Sequence, residues 1–295
     1  MRGGSFTEVL TARGRRPELV RDGSKWDILR TMQRLVTISF SHYCEKARWA
    51  LDLAGAPYRE EGHLPLFHFL PVGLATWGAK DKRGDSVSSP YSTPVLITPS
   101  GHRICDSTRI LRHVLENQEN KLRVDAESLA LDTKFSDELG PHSRRYGYHY
   151  LLGDAKLLRR FFWSLGNKPQ AVGAAMLHPV YERAMRKALR INAKSAERSK
   201  LKVRAMASEV EEILSDGRAY LCGDVFGVAD LSYAALIAPS LLLTHREGYG
   251  SEFPSMDQAG GAVADFAREL RERRAGDYAL SIYKKHRGPS AAVAA

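Results

Sequence analysis

Ser41-His42-Tyr43-Cys44 puts a hydroxyl, an imidazole, a phenol and a thiol into a single turn. The turn follows Leu35-Val36-Thr37-Ile38-Ser39-Phe40, a short apolar run rich in β-branched and aromatic residues, which predicts a buried strand. A helical pattern comes next. Ala47, Ala50, Leu51 and Ala54 share one face, Glu45, Lys46, Arg48 and Asp52 lie elsewhere, and Gly55-Ala56-Pro57 ends the helix. A strand that turns at once into a helix gathers unpaired backbone N–H groups and the positive dipole end at one point. Such a point suits an anion, a thiolate included. Ser41 there reads either as a helix N-cap or as a hydroxyl donor to a bound sulfur. A hydrogen bond to a charged group contributes about 1.5–3 kcal/mol, which lowers a thiol pKa by roughly one to two units. Cys44 reads as a small core residue, with an exposed low-pKa thiol as the alternative. Tyr43 is expected as a packing ring and His42 at the mouth of the site.

The turn is similar to the Cys-Pro-Tyr-Cys turn of glutaredoxins, with Ser41 and His42 replacing the first cysteine and the proline. With Thr93-Pro94, Asp106-Ser107 and Gly227-Val228-Ala229-Asp230, the chain resembles the glutathione transferase family, in its serine-type members, over most of residues 34–287. The resemblance implies an α/β thioredoxin-like N-terminal domain followed by an all-α helical-bundle C-terminal domain. It implies that Ser41 activates the glutathione thiolate for conjugation to an electrophilic, partly apolar co-substrate. Thr93, before a cis Pro94, would pair with the cysteinyl backbone of glutathione as an added strand does. Asp106 and Ser107 would take the γ-glutamyl ammonium and carboxylate. Asp106 stands where the family usually has Glu, and it also reads simply as a helix cap. Tyr91 and Ser92 replace the Lys or Gln of many relatives, which leaves Lys80, Lys82 or Arg83 as candidates for the glycine carboxylate. Arg144 and Tyr148 are the candidates for the co-substrate pocket, in an aromatic-rich stretch that otherwise reads as helical core. Gly227 to Asp230 reads as a capping box serving folding.

The bulk properties agree. The 295 residues suffice for two cores, and 43% hydrophobic with 26% charged content fits a globular chain. Cys44, Cys105 and Cys222 are odd in number, without metal-like or disulfide-like spacing, which points to a reducing compartment. The ten histidines are scattered, and no metal site is expected. The net charge of +10 permits anionic partners, but no nucleic-acid module is visible. The best apolar run, Leu231 to Leu243, is too short to cross a membrane. Arg186, Arg190, Lys194, Arg198 and Lys202 repeat every fourth residue and read as a solvated helix face, with an anionic partner or membrane surface as the alternative.

The expected layout is a basic N-terminal extension at 1–33, a thioredoxin-like glutathione-binding domain at 34–117, a linker at 118–126, a helical domain at 127–287 and a disordered tail at 288–295. The extension carries Glu8, Glu18, Asp22 and Asp27, a poor fit to a transit peptide, so a cytoplasmic location is expected. In the first domain Tyr58 to Glu61 reads as an edge strand, 64–89 as a short helix and a loop, and 91–105 as a hairpin before a helix. Beyond the linker, helical periodicity predicts helices near 126–139, 143–165, 170–195, 199–215, 228–243 and 262–284. The family resemblance further implies a homodimer. Two other functions stay open: a dehydroascorbate-type thiol–disulfide reductase using Cys44, and a non-catalytic binding module.

Overall fold

The computed structural model describes residues 32–78, 91–116 and 122–293. Nearly all of the expected N-terminal extension, and the loop residues Lys80, Lys82 and Arg83, lie outside them. Among the described residues the sheet has four strands: β1 (Gln33–Ile38), β2 (Tyr58–His63), β3 (Val95–Ile97) and β4 (Arg103–Cys105). Their order is β2-β1-β3-β4, with β1 and β2 parallel and the other pairs antiparallel. Alternation along each strand decides which layer it feeds. Leu35, Leu96 and Ile104 point into the main core, whereas their neighbours Val36, Val95 and Cys105 join Val72 on the other face.

Helix α1 (His42–Leu53) bridges β1 and β2, α2 (Phe69–Ala75) packs on the Val36 face, and α3 (Ser107–Glu116) lies beside α1. This is the thioredoxin-like order. The polar β2 is the edge strand, as expected. Its outer edge is partly covered by residues the sequence marks as a disordered tail. The Val293 N–H donates to the Tyr58 carbonyl (2.9 Å), and the Ala291 N–H to the Asp52 carboxylate (2.7 Å). An open strand edge offers the Tyr58 carbonyl to any segment that reaches it, and Asp52 near the end of α1 supplies the second acceptor.

The rest is helical: α4 (Ala126–Lys134), a π-helical turn (Phe135–Leu139), α5 (Gly140–Gly153), α6 (Ala155–Ser164), α7 (Lys168–Met176), α8 (His178–Ala188) and α9 (Ala193–Ile213). Then come α10 (Val228–Leu241), α11 (Met256–Ala259), α12 (Gly261–Glu272) and α13 (Arg274–His286). Three of the expected long helices are each broken in two. Asp154 stops the first and caps α6, accepting from the Lys156 and Leu157 N–H groups (both 2.9 Å). Pro179 starts α8, and Arg273, in an extended conformation, divides α12 from α13. Apolar periodicity runs on across such breaks because both halves face the same core. The four-residue repeat of basic residues therefore lies on two helices, with Arg190 at the junction in a left-handed conformation (φ 53°).

Helix α10 is buried along its whole length and packs against α1, α4, α5, α12 and α13. An apolar helix without a polar face belongs in the middle of a bundle. Its start is held by Asp230, whose carboxylate accepts from the Gly227 N–H (2.7 Å), the Leu221 N–H (2.8 Å) and the Tyr278 hydroxyl.

One hydrophobic core runs through both halves, from Leu35 and Trp49 to Val203, Tyr233 and Tyr283. It covers the charged face of α1, so Glu45, Lys46 and Arg48 are buried. Each finds an opposite charge. Arg48 pairs with Glu60 (2.7 Å), and Glu45 with Arg287 (2.9 Å), which also reaches Asp52 (2.7 Å). Lys46 pairs with Asp132 from α4 and donates to the hydroxyls of Thr108 (2.7 Å) and Ser136 (3.0 Å). Asp132 also accepts from the Ser232 hydroxyl of α10 (2.6 Å).

Candidate functional site

A cleft of about 960 Å³ opens between the sheet domain and α5, α8 and the end of α10. It falls at the upper end of the usual size range for small-molecule sites. Ser41, His42, Tyr43, Thr93, Asp106, Ser107, Arg144 and Tyr148 all line it. Four separate elements thus bring the candidates together. Lys82 lies outside the described residues.

Ser41 is the N-cap residue of α1, with extended backbone (φ −70°, ψ 129°). Its carbonyl accepts the Glu45 N–H (2.8 Å), but its side chain makes no capping bond. The side chain leaves the helix N–H groups uncapped and lies within hydrogen-bonding reach of the Cys44 thiol, and Ser41 lines the cleft. Cys44 is fully buried beneath it. Burial pushes the Cys44 thiol up, and the Arg48 charge with hydrogen bonding from Thr93, Ile38 and Ser41 opposes this without reversing it. A thiol in that state is a poor nucleophile.

His42 does not stand free at the mouth. Its ring is buried, and Nε2 lies 3.0 Å from the Gly140 carbonyl at the start of α5. Burial, with the Arg144 charge adding to it, lowers its pKa to about 3, so the ring is neutral and serves as a domain contact. Tyr43 does likewise. Its hydroxyl donates to the Ser136 carbonyl (2.7 Å), and burial raises its pKa well above the usual phenol. A methyl group at Gly140 would collide with that hydroxyl, so α5 approaches this closely only with glycine there.

The Thr93–Pro94 peptide is cis, as the motif implies. Pro94 is buried, and its carbonyl takes the Asp106 N–H (3.3 Å), which links the start of β3 to the end of β4. Asp106 has a left-handed backbone (φ 82°), uncommon for a residue with a side chain. Its carboxylate accepts from the N–H groups of Thr108 (2.9 Å) and Arg109 (3.3 Å). It therefore caps α3, and Ser107 opens the helix at the cleft wall. The capping reading of Asp106 holds, and it leaves the residue at a helix N-terminus facing the cleft.

Tyr148 and Arg144 stand on the cleft face of α5. The Tyr148 ring belongs to an apolar wall with Phe40, Leu151 and Leu157, and the Arg144 guanidinium lies 5.9 Å from the Tyr43 ring centre. The sequence reading did not single out Phe40, His68, Arg112, Asp137 or Phe253, all of which line the cleft. Phe40 closes the apolar run of β1, which was a signal. His68 is buried, and burial followed by the charge of His63 lowers its pKa to about 4. Nothing local marks His68 or Phe253, which arrives on a loop after α10. Among the described residues no group of His, Cys, Asp and Glu is placed to hold a metal ion.

The sheet order, the cis-proline, the capped α3 and the helical bundle together define the glutathione transferase fold. Residues 35–122 match the model of the glutathione S-transferase N-terminal domain. Among curated proteins none matches. The structure is similar to that of the glutathione S-transferase CsGST63524 of Ceriporiopsis subvermispora in complex with glutathione, at 15% identity and a TM-score of 0.55. That match covers 88% of this chain and 98% of the other. It is also similar to the glutathione transferase GSTFuA3 from Phanerochaete chrysosporium, at 15% identity, a TM-score of 0.57 and the same coverage of 88% and 98%. At this identity the likeness is one of fold.

Proposed function

We propose that the protein is a glutathione transferase that binds glutathione along the sheet-domain wall of the cleft and stabilises its thiolate through Ser41. The observation that carries this reading is Ser41, which lines the cleft at the N-terminus of α1 with a side chain that does not cap the helix. Its hydrogen bond would favour the anion over the thiol, and the dipole of α1 would add to it. The Thr93 backbone beside cis Pro94, and Ser107 at the start of α3, line the same wall and would hold the peptide and its γ-glutamyl end. The thiolate would then attack an electrophilic carbon of a co-substrate seated against Phe40, Tyr148 and Leu151. Holding both reactants in one cleft supplies much of the rate. The reading includes a homodimer, supported by the exposed apolar side chains Leu70, Leu74 and Trp77 in and just after α2. It also includes a reducing, cytoplasmic location, supported by three buried, unpaired cysteines. A reductase working through Cys44 has less support, because that thiol is buried and its pKa raised.

The test is a calorimetric titration with glutathione in two buffers of different ionisation enthalpy. Binding is expected to release a proton at neutral pH, and Ser41→Ala is expected to raise the bound-thiol pKa by roughly one to two units. Absence of binding heat in both buffers, with no shift in Tm, would leave the transferase fold as a binding module and overturn the enzyme reading.

A further inference from the structure

The glutathione reading leaves Arg144, on the co-substrate side of the cleft, without a task. Arg144 precedes Gly147, Tyr148 and Leu151 by one and two helical turns, and all four line the cleft. Among the described residues no carboxylate comes within ion-pairing distance of its guanidinium. The Tyr43 ring centre lies 5.9 Å from the guanidinium, and Tyr43 is itself fixed through Ser136.

The side of α5 that faces α9 adds positive charge next to Arg144. Arg145 is half-buried. It donates to the Leu189 carbonyl (3.3 Å) and to the Ser199 hydroxyl (3.4 Å), and lies 3.3 Å from His142 Nδ1. None of these contacts carries negative charge. Burial, followed by the charges of Arg144, Arg198 and Arg190, holds the Arg145 pKa below the usual guanidinium value. Burial likewise lowers the pKa of His142, with Arg145, Lys202 and Arg198 adding to it and Glu138 opposing. The acids that line the cleft are Asp106, which caps α3, and the exposed Asp137, and neither pairs with Arg144. Arg144 lines the apolar cleft, and Arg145, Arg190 and Arg198 add positive charge near it from α5, the α8–α9 junction and α9. Uncompensated charge beside an apolar wall costs free energy that an arriving anion recovers.

We propose that the co-substrate side of the cleft selects an anionic amphiphile, with its apolar body against Phe40, Tyr148, Leu151 and Leu157 and its carboxylate- or sulfonate-type head on the Arg144 guanidinium. This rests on the proposed glutathione site, and it names the class of molecule that site would modify. Guanidinium and carboxylate match in a bidentate pair, which an uncharged analogue cannot form. Arg190 and Arg198 are exposed and act at longer range, on attraction more than on contact.

The test keeps the glutathione wall filled with S-methylglutathione, which has no thiol to react. 2-Naphthoate and its uncharged analogue 2-naphthamide are then titrated calorimetrically into the full chain. Naphthoate is expected to bind about ten-fold tighter or more, with the advantage shrinking as salt rises. Arg144→Gln is expected to abolish the advantage while Tm and S-methylglutathione affinity stay as in the parent. Equal binding of the two probes, or a naphthoate advantage that survives in Arg144→Gln, overturns the proposal. So does a loss of S-methylglutathione affinity in that variant, which would assign Arg144 to a glutathione carboxylate. Failure of S-methylglutathione to bind, with the naphthoate preference intact and dependent on Arg144, would overturn the glutathione reading and leave the anion site standing.

Discussion

Two neighbouring side chains at the head of α1 divide the work that sequence alone leaves undivided. Ser41 lines the cleft and leaves the helix uncapped, whereas His42 turns inward to the Gly140 carbonyl. The burial of His42 has a consequence for stability. Its folded pKa, about 3, lies below the ordinary value of 6.5, so the unfolded chain binds the extra proton first as pH falls. The contribution of the neutral ring is complete above pH 6.5 and is lost progressively between there and about pH 3. At pH 5 the loss amounts to roughly 2 kcal/mol. Equilibrium unfolding at pH 7.5 and pH 5 should show this decrease, and His42→Gln should show a smaller one. An identical decrease in the variant would place the acid sensitivity elsewhere. His68, lowered to about 4 by burial and the charge of His63, contributes in the same direction and accounts for part of what remains.

At the scale of elements, α10 organises the helical half. Its wholly buried surface requires a start that leaves no polar group unpaired, and the Asp230 carboxylate supplies it with three donors. Asp230→Ala should strand the Leu221 and Gly227 N–H groups and lower stability by roughly 2–4 kcal/mol. The folded fraction should keep its glutathione affinity, because Asp230 does not line the cleft. Denaturant unfolding with a parallel glutathione titration checks both. A variant of unchanged stability and weakened binding would contradict the assignment. Helix α5 has the complementary role. Gly140 lets it approach Tyr43, and the same helix then carries Arg144 and Tyr148 to the cleft.

Over the whole molecule, a buried ion pair joins the two halves beneath the cleft. Lys46 and Asp132 are both inaccessible to solvent, and their partners Thr108 and Ser136 line the cleft. Removing one member of such a pair leaves an uncompensated charge, so Lys46→Ala should cost about 3–5 kcal/mol in denaturant unfolding. Replacing both members with apolar residues, as in Lys46→Met with Asp132→Leu, should recover much of that loss. A single variant as stable as the parent would mean that water reaches the pair and that the halves do not depend on it.

The residues carrying local signals were legible from sequence: alternation in β1, the turn at Ser41, the Thr93-Pro94 and Asp106-Ser107 motifs, and the apolar run of α10. Each rests on neighbours a few positions apart, and periodicity or capping chemistry exposes such relations directly. Helix breaks at Asp154, Pro179 and Arg273 were hidden because apolar spacing continues across them. The charged face of α1 reads as solvent-facing until the helical half covers it and supplies Asp132 and Arg287 from far along the chain. The tail residues Ala291 and Val293 read as disordered until the β2 edge offers them partners. His68, Arg112 and Phe253 meet around one cleft for the same reason. Their proximity is a property of packing between distant segments, which one-dimensional spacing does not encode.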